Sequence, residues 1–474
     1  MNKLHIIAFL LLLSPSVSAQ QNFISSYGFY GYNEGVKIFH HTNGYLIAGN
    51  TPGMSGYTQV YMAKINKSGQ LLWDKAWFNK SIIQINAAGK ISADSILLTG
   101  TRHNGNPDEY DFFVSVIDTS GNIHWQKSFG GTGWQNITSQ HITGKYIYVS
   151  GTSLNDSAGY LQTPVFKLNQ ASGIIEDQYA FPDSVLKEIR SLDMIGDSII
   201  IAAGITKNHI QNERNGRIIL LDTAYNILKD TVFVDTTENE IMFARYHDPL
   251  IIGGGYQVIP GKKKDEWSFN YNPFKPGFKS FLGGNNEDDV FYDMAIIDHG
   301  YYFTGYTESY GGGKKDIRFS IHDSQGYWKN SGTLGDLENE TGYSIISDDS
   351  NRMIICGTSE SWGPDFTNIV VIKTDSANMS LNYNQHYTYN QVTEKPIIKQ
   401  KIYPNPFQHS FTIEFTDQPR REQYHFTLID ISGREIRKYE TTQSSLQIHA
   451  PELNPGIYIL RLEKSGKTWK VIKK

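Results

Sequence analysis

The chain has 474 residues, of which 39% are apolar; this composition excludes a disordered chain and allows two or three domains or one large repeat array. Its 29 Tyr, 24 Phe and 43 Gly are typical of a protein rich in strands and turns. The formal net charge of −5 gives no overall basic footprint, so nucleic acid is not an expected partner.

The first 19 residues have the pattern of a signal peptide. Lys3 precedes an apolar run over residues 6–13, and Val17-Ser18-Ala19 offers small residues at the cleavage positions. The alternative, a buried N-terminal helix, accounts for the apolar run alone. No later stretch is long and apolar enough for a transmembrane segment. The one cysteine, Cys356, is expected to be buried on a strand, and it leaves no internal disulfide to stabilise an exported fold.

A glycine-containing segment recurs after the signal peptide, as "YLIAGNT", "ILLTGTR", "IYVSGTS" and four further copies. The spacing between successive copies is 50 to 53 residues. The aligned glycines are Gly49, Gly100, Gly151, Gly204, Gly255, Gly305 and Gly357. A period of this length, with seven copies, is typical of a repeat architecture.

Each repeat contains four short apolar runs separated by polar turns. In the second repeat, Asp118 and Gly121 are expected to form a tight turn between the third and fourth runs, because Asp caps such turns and Gly supplies positive φ. Trp125 is expected to pack between repeats. Seven repeats of four strands predict an all-β fold, a seven-bladed β-propeller over residues 20–388.

The segments "WQKSFGGTGWQ", "IYVSGTS" and "DEYDFFVSVIDTSGNIHW" resemble the β-propeller repeats of secreted and cell-surface bacterial proteins. The resemblance covers about residues 24–385 and implies the fold, but it implies little about activity. We expect Ile24–Phe29 to close the ring by pairing with the last repeat. Residues 379–387 are the competing outer strand.

The chain changes character after the seventh repeat. Residues 389–400 read as a polar linker, and residues 401–474 predict a small C-terminal β-sandwich. This tail resembles the C-terminal sorting domain of type IX secretion in Bacteroidota. The matching residues are Tyr403, Pro404, Asn405, Pro406, Gly433, Gly456, Tyr458, Lys470 and Lys473.

The sorting resemblance implies that the type IX secretion machinery is a partner. It implies transit through the periplasm, export across the outer membrane and removal of the tail. The protein would then be secreted or held at the outer-membrane cell surface. An ordinary adhesion-type sandwich is the alternative, although it would not require both the start and the end motif.

Aromatic residues in the loops of one propeller face are the candidate ligand-binding residues. Rigid aromatic rings among Asn, Asp and Lys suit sugar faces or protein surfaces. We expect at least half of these rings to fold inward as loop anchors. The candidates are Tyr57, Tyr110, Trp134, Tyr160, Trp267, Tyr310 and Trp362.

The sequence assigns no catalytic residue, cofactor or metal ligand. The loop acids Asp288, Asp289, Glu338 and Glu340 could hold Ca²⁺, but solvated acids explain them without an alternating ligand pattern. The favoured function is a binding module for glycan or protein. The alternatives are a polysaccharide hydrolase or lyase and a structural surface or adhesion component. A central pocket with convergent carboxylates would favour the enzyme, and a flat aromatic rim would favour binding.

Overall fold

Every regular element in the described part of a computed structural model is a β-strand, which confirms the predicted all-β fold class. The structure describes residues 22–374 and 400–474, apart from 30, 53–57, 78–81, 104, 106–108, 156–159, 182–185, 208–213, 234–237, 365, 416–423, 432–433, 442, 444 and 463–467. The predicted signal peptide, the competing segment 379–387 and almost all of the predicted linker lie outside these residues. In the described ranges, no helix is long and apolar enough to cross a membrane.

The propeller begins with a single strand, and the following strands fall into consecutive sets. The first strand is β1 (Phe23–Tyr27). Unit 1 contains β2 (Glu34–His41), β3 (Gly44–Pro52), β4 (Thr58–Asn66) and β5 (Leu71–Ala76). Unit 2 contains β6 (Ile83–Lys90), β7 (Ser95–His103), β8 (Tyr110–Asp118) and β9 (Ile123–Phe129). Unit 3 contains β10 (Trp134–Ile142), β11 (Tyr146–Asn155), β12 (Tyr160–Asn169) and β13 (Ile175–Phe181).

The later units follow the same order. Unit 4 contains β14 (Glu188–Ile195), β15 (Ile199–Lys207), β16 (Arg214–Asp222) and β17 (Ile227–Phe233). Unit 5 contains β18 (Asn239–His247), β19 (Leu250–Val258), β20 (Lys264–Tyr271) and β21 (Phe278–Leu282). Unit 6 contains β22 (Asp289–Ile297), β23 (Gly300–Thr307), β24 (Asp316–Asp323) and β25 (Trp328–Leu334). Unit 7 contains β26 (Glu340–Ser347), β27 (Met353–Ser359) and β28 (Asn368–Lys373).

Strands within each unit pair antiparallel in chain order, and β1 supplies the fourth strand of unit 7. Ser25 of β1 lies opposite Val371 of β28, which confirms that the N-terminal segment pairs with the last repeat. A single parallel bridge between Trp134 and Tyr110 links units 2 and 3. The first strand of each unit, which we call the inner strand, contacts the next inner strand, and β2 contacts β26. The inner strands therefore form a ring around a central axis, which we call the central channel.

The apolar core lies between the units. Each of the eight buried clusters in the described propeller combines side chains of two adjacent units. In the cluster that closes the ring, Ile38 and Ile47 of unit 1 join Ile369 of unit 7. A sheet that is apolar on both faces is stable only when both faces are covered, so each unit depends on its two neighbours.

The turn between β8 and β9 has the predicted structure. The Asp118 carboxylate accepts hydrogen bonds from the backbone N–H groups of Ser120 and Asn122, each at 2.8 Å. Gly121 has φ of 81°, a conformation that favours glycine. Trp125 donates its indole N–H to the Gln170 carbonyl of unit 3 at 3.1 Å, which confirms that it packs between units.

The C-terminal domain has two sheets around one apolar core. The first sheet contains β29 (Gln400–Tyr403), β30 (Ser410–Phe415) and β33 (Ser445–His449). The second contains β31 (Tyr424–Asp430), β32 (Glu435–Thr441), β34 (Gly456–Leu462) and β35 (Thr468–Lys473). Phe407, Phe411 and Leu460 are buried between them. The predicted C-terminal β-domain is therefore confirmed.

Candidate functional site

Each inner strand contains a β-bulge at the same position of the repeat. In β14, Ile189 lies opposite Gly204 and the register then shifts, so that Arg190 is the extra residue. The same shift occurs in the other six inner strands. A bulge changes the direction in which its side chain points. These half-buried residues, the bulge ring, are Val36, Asn86, Thr138, Arg190, Met242, Tyr292 and Tyr343.

One side of the bulge ring is charged. The Arg190 guanidinium lies between two glutamates, with Nη1 3.1 Å from Glu188 Oε1 and Nη2 3.9 Å from Glu240 Oε2. Glu240 Oε1 also accepts a hydrogen bond from Arg214 Nη1 at 2.6 Å. Burial raises the pKa of the Glu188 carboxyl; Arg190 opposes this rise, and the charge of Glu240 adds to it. The charged groups therefore interact directly across adjacent units.

Arg190 retains one unused hydrogen-bond donor. Its Nε–H is buried and has no hydrogen-bond partner within the described residues. A buried donor without a partner costs about 1–3 kcal/mol. A ligand oxygen placed at this nitrogen would remove that penalty.

Glu34 supplies a third carboxyl group, at the start of the inner strand of unit 1. Its Oε2 accepts a hydrogen bond from Asn50 Nδ2 at 3.0 Å. Asn50 is itself fixed by the backbone of Ile85 in the next unit, through both its amide nitrogen and its amide oxygen. Burial raises the pKa of the Glu34 carboxyl, although the hydrogen bond from Asn50 lowers it in part. No lysine or arginine of the described chain forms an ion pair with Glu34.

Two tyrosines of the bulge ring lie near these glutamates. The rings of Tyr292 and Tyr343 are 5.3 Å apart between centroids. Burial raises the pKa of the Tyr343 hydroxyl, and the nearby charge of Glu34 adds to the rise. Burial also raises the pKa of the Tyr292 hydroxyl. The charge of Arg190 opposes this rise, and the charge of Glu240 adds to it. The two contacting tyrosine rings therefore link the surroundings of Glu34 to those of Glu240.

We call this group the channel-mouth site; its members are Glu34, Glu188, Arg190, Glu240, Tyr292 and Tyr343. It combines carboxylate acceptors, a guanidinium donor and phenol rings, a set suited to a polyhydroxylated ligand. No group of three or more His, Cys, Asp or Glu in the described ranges could hold a metal ion. The sequence motifs did not point to these residues, although the bulged residues stand 13 or 14 positions before the repeated glycines.

The predicted aromatic residues are not all on an exposed rim. Trp267 and Trp362 are buried, and the Trp267 indole donates to Ser280 Oγ at 2.8 Å. These two rings therefore fold inward, as expected for part of the set, and Trp267 does so from a strand and not from a loop.

Tyr310 and Trp134 are the predicted aromatic residues that the structure exposes substantially. The Tyr310 hydroxyl donates to the Gly284 carbonyl at 3.0 Å, and its ring covers the Arg318 guanidinium. Tyr110 is half-buried, and its ring contacts His103 edge-on. Tyr57 lies outside the described residues, and only the backbone of Tyr160 is described. The role of all these rings in ligand binding stays a prediction.

Two of the predicted loop acids are buried rather than solvated. Asp289 accepts hydrogen bonds from the Thr307 hydroxyl, the Ser309 hydroxyl and the Asn285 backbone N–H. Glu340 accepts hydrogen bonds from the Ser359 hydroxyl and the Ser361 backbone N–H one unit later. The two carboxylates therefore hold the loops that enter β22 and β26 through hydroxyl and backbone N–H donors.

The sorting-motif residues from both ends of the tail come together. The side chain of Asn405 donates to the Lys470 carbonyl at 2.8 Å and accepts from the Ile472 N–H at 2.9 Å. The Lys473 ammonium contacts the Gln408 carbonyl. Tyr403 donates to Glu414, and Tyr458 donates to the Asn454 carbonyl. Pro404 and Pro406 flank Asn405, Gly456 begins β34, and Gly433 lies outside the described residues.

Residues 401–474 match the family model described as "Secretion system C-terminal sorting domain". This match supports type IX secretion and a secreted or cell-surface location, as the sequence resemblance implied. The search of curated proteins found no match. The chain therefore has a recognised export signal attached to a propeller-like domain.

Solved structures are similar to this chain at low sequence identity. A puromycin hydrolase has 8% identity and a TM-score of 0.50, over 80% of this chain and 58% of that one. The acylaminoacyl peptidase of Pyrococcus horikoshii has 12% identity and a TM-score of 0.45, over 81% of this chain and 57% of the peptidase. The chain thus spans less than two thirds of either protein's length, and the similarity to the puromycin hydrolase shows the fold alone.

Proposed function

We propose that this protein is a secreted or surface-held propeller that binds neutral oligosaccharides at the channel-mouth site. The observation that carries the proposal is a row of neighbouring groups on the inner strands: Glu34 lies near Tyr343, Tyr343 contacts Tyr292, and Tyr292 lies near the ion-paired Arg190 and Glu240. Carboxylates accept hydrogen bonds from sugar hydroxyls, and aromatic rings pack against the apolar faces of sugars. The rigid inner strands preorganise these groups, which favours affinity because little order is lost on binding.

The charge of the site favours a neutral glycan over an acidic one. Three carboxyl groups belong to the site, and two guanidinium groups pair with them: Arg190 with Glu188 and Glu240, and Arg214 with Glu240. Glu34 has no such cation among the described residues, so a uronic acid or sulfate group beside it would be repelled, whereas a neutral sugar would not. Neutral sugars offer many O–H donors for these acceptors. They also offer a hydroxyl oxygen for the unused Nε–H of Arg190.

The sorting domain supports a route to such ligands outside the cell. We propose that residues 1–19 are removed during entry into the periplasm and that residues 401–474 direct passage across the outer membrane. Residues 20–388 would form the exported propeller, joined to the tail by residues 389–400. Released protein and protein attached to the surface would both present the channel mouth to glycans.

A glycan array tests this function with the chain from residue 20 to residue 474. The array carries hexasaccharides of β-1,4-glucan, mannan, xylan, chitin and α-1,4-glucan, together with acidic glycans and peptides. We expect retention on at least one neutral hexasaccharide, and loss of retention in Glu34→Gln and Arg190→Leu. Glu287→Gln, which changes an exposed glutamate of a surface ion pair, is the matched control. Retention on peptides alone would support a protein-binding module instead.

A polysaccharide hydrolase is the second candidate, because burial raises the pKa of both Glu34 and Glu188. A carboxyl group that stays protonated can donate a proton to a leaving oxygen, and hydrolysis needs such an acid with a second carboxylate. Incubation of the retained hexasaccharide with the protein distinguishes the candidates. New reducing ends that disappear in Glu34→Gln would establish hydrolysis, and intact hexasaccharide after prolonged incubation would leave binding as the function.

A further inference from the structure

An exposed aromatic pair lies beside the channel-mouth site. The rings of Tyr32 and Phe366 stack with centroids 5.2 Å apart and planes at 15°. Tyr32 is 70% exposed and Phe366 is 50% exposed. The stacking of two rings stabilises a fold by only about 0.5–1.5 kcal/mol, so it does not explain why both remain open to solvent.

The backbone beneath the pair is held rigidly. Asn33, the residue after Tyr32, accepts a hydrogen bond from the Phe29 N–H at 3.0 Å and donates to the Thr367 carbonyl at 3.0 Å. Thr367, the residue after Phe366, donates its hydroxyl to the Asn33 carbonyl at 2.8 Å. Tyr32 and Thr367 also form a parallel β-bridge. The two rings are therefore presented from one hydrogen-bonded junction where unit 1 meets unit 7.

The pair is close to the site along the chain. One residue, Asn33, separates Tyr32 from Glu34, which corresponds to about 6–7 Å of extended backbone. Phe366 belongs to the loop between β27 and β28, which emerges on the face where the inner strands begin. The aromatic pair and the carboxyl group of Glu34 therefore belong to the same face and the same junction.

We propose that Tyr32 and Phe366 form an aromatic platform that binds a further sugar residue of the oligosaccharide held at the channel mouth. This inference rests on the proposed function and extends it to the length of the ligand. A sugar ring that packs on the platform would extend the glycan chain that Glu34 holds at the next position. The platform is uncharged, and the outer face of a stacked ring suits the apolar face of a neutral sugar. The site thus prefers oligosaccharides over monosaccharides.

Isothermal titration of the chain from residue 20 to residue 474 tests the platform. The probes are the hexasaccharide retained on the array and the corresponding monosaccharide. Tyr32→Ala and Phe366→Ala should each weaken hexasaccharide binding by about tenfold, the loss of one aromatic contact, and leave monosaccharide binding unchanged. Phe274→Ala is the matched control, since Phe274 is an exposed ring in a turn on the opposite face. Thermal melting of each variant verifies that these surface changes leave the fold intact.

The outcomes separate this inference from the proposed function. Equal hexasaccharide affinity in the wild type and both platform variants, with loss of binding in Glu34→Gln, would overturn the platform and retain the channel-mouth site. Equal losses for monosaccharide and hexasaccharide in the platform variants would also overturn it, because the platform would then not be a separate subsite. Failure of the wild type to bind any neutral sugar would overturn the proposed function and the platform with it.

Discussion

A methyl group placed on Gly204 would lie 2.0 Å from the carbonyl oxygen of Glu188. The bulge at Arg190 brings this carbonyl against the second strand of the same unit, and only glycine leaves room for it. Each of the other six repeated glycines has an equivalent carbonyl oxygen within 1.8–2.3 Å of such a methyl group. The repeated glycines therefore lie on the second strand of each unit, directly opposite the bulged part of the inner strand. The close contact lies within one unit, between its first and second strands, and not between neighbouring units.

Gly204→Ala should therefore destabilise the propeller. Because the obstructing atom belongs to the backbone, the strand must shift, and overpacking of this kind costs about 1–3 kcal/mol. Chemical denaturation of the full chain measures the loss. Gly144→Ala is the matched control, since no atom lies within 4 Å of a methyl group at that position. Equal unfolding free energies for the two variants would show that the bulge does not require glycine.

Ring closure should depend on an ion pair between two units that are not neighbours. Lys37 Nζ of unit 1 lies 2.5 Å from Asp293 Oδ2 of unit 6, and the same oxygen accepts the Ile345 N–H of unit 7 at 3.2 Å. Lys37→Met leaves Asp293 buried without this cation. Because Lys37 is 25% exposed, we expect a loss of about 1–3 kcal/mol, below the ~3–5 kcal/mol of a fully buried pair.

The control for this prediction is the exposed pair of Lys329 and Asp323 at 2.9 Å. Lys329→Met should change stability by less than about 1 kcal/mol, because exposed ion pairs contribute little. Thermal unfolding of both variants provides the comparison. If Lys37→Met and Lys329→Met have the same melting temperature, the ion pair between Lys37 and Asp293 does not contribute to ring closure.

Asp265 should make stability fall as the pH rises. Burial raises its pKa above 3.8, Lys262 opposes the shift, and the charge of Asp289 adds to it. A pKa that is higher in the folded state contributes stability below the unfolded pKa, and this contribution is lost as the pH rises through the folded pKa. Asp265→Asn cannot lose a proton there. Its stability relative to the wild type should therefore increase as the pH rises from the ordinary range of aspartate.

Asp348 provides a comparison with the opposite sign. Burial acts against its ionisation, but the N–H groups of Arg352 and Ser350 and the nearby Lys373 lower its pKa overall. Asp348→Asn should therefore be destabilised most near neutral pH, with a difference that shrinks as the pH falls through the acid range. Urea unfolding from pH 3 to pH 8 records both trends. Parallel pH profiles for the two variants would contradict the assignment.

Export should depend on the contact between the two ends of the sorting motif. Asn405→Ala removes both hydrogen bonds to the last strand, so we expect less protein outside the cell and more retained within it. Asn454→Ala is the control, because Tyr458 binds the backbone carbonyl of Asn454 and not its side chain. Quantitative immunoblotting of culture medium and cell fractions measures the effect. Undiminished export of Asn405→Ala would show that export does not require the two hydrogen bonds of Asn405 to the last strand.

The repeat pattern predicted the fold well because it is local and periodic. The glycine spacing located the second strand of each unit, and the Asp118 turn followed from residue chemistry. The pairing of β1 with β28 followed from the need to cover an open sheet edge. These features depend on chain order, which a sequence shows directly.

The site was harder to predict because it depends on contacts between units. A bulge adds one residue to an otherwise alternating strand, so Arg190 and Tyr343 fall out of the expected alternation of buried and exposed positions. Tyr32 and Phe366 are separated by most of the chain and meet only through ring closure. Trp267 resembles a loop residue because charged residues precede it, yet it is buried beside Phe269.

The location of a bound oligosaccharide tests the central claim most directly. We would determine a crystal structure of the chain from residue 20 to residue 474 with the neutral hexasaccharide that the array retains. We expect sugar density at the channel mouth, with one hydroxyl oxygen accepting the Arg190 Nε–H and another hydroxyl donating to the Glu34 carboxylate. Density confined to the outer strands or the opposite face, with the channel mouth occupied by solvent alone, would contradict it.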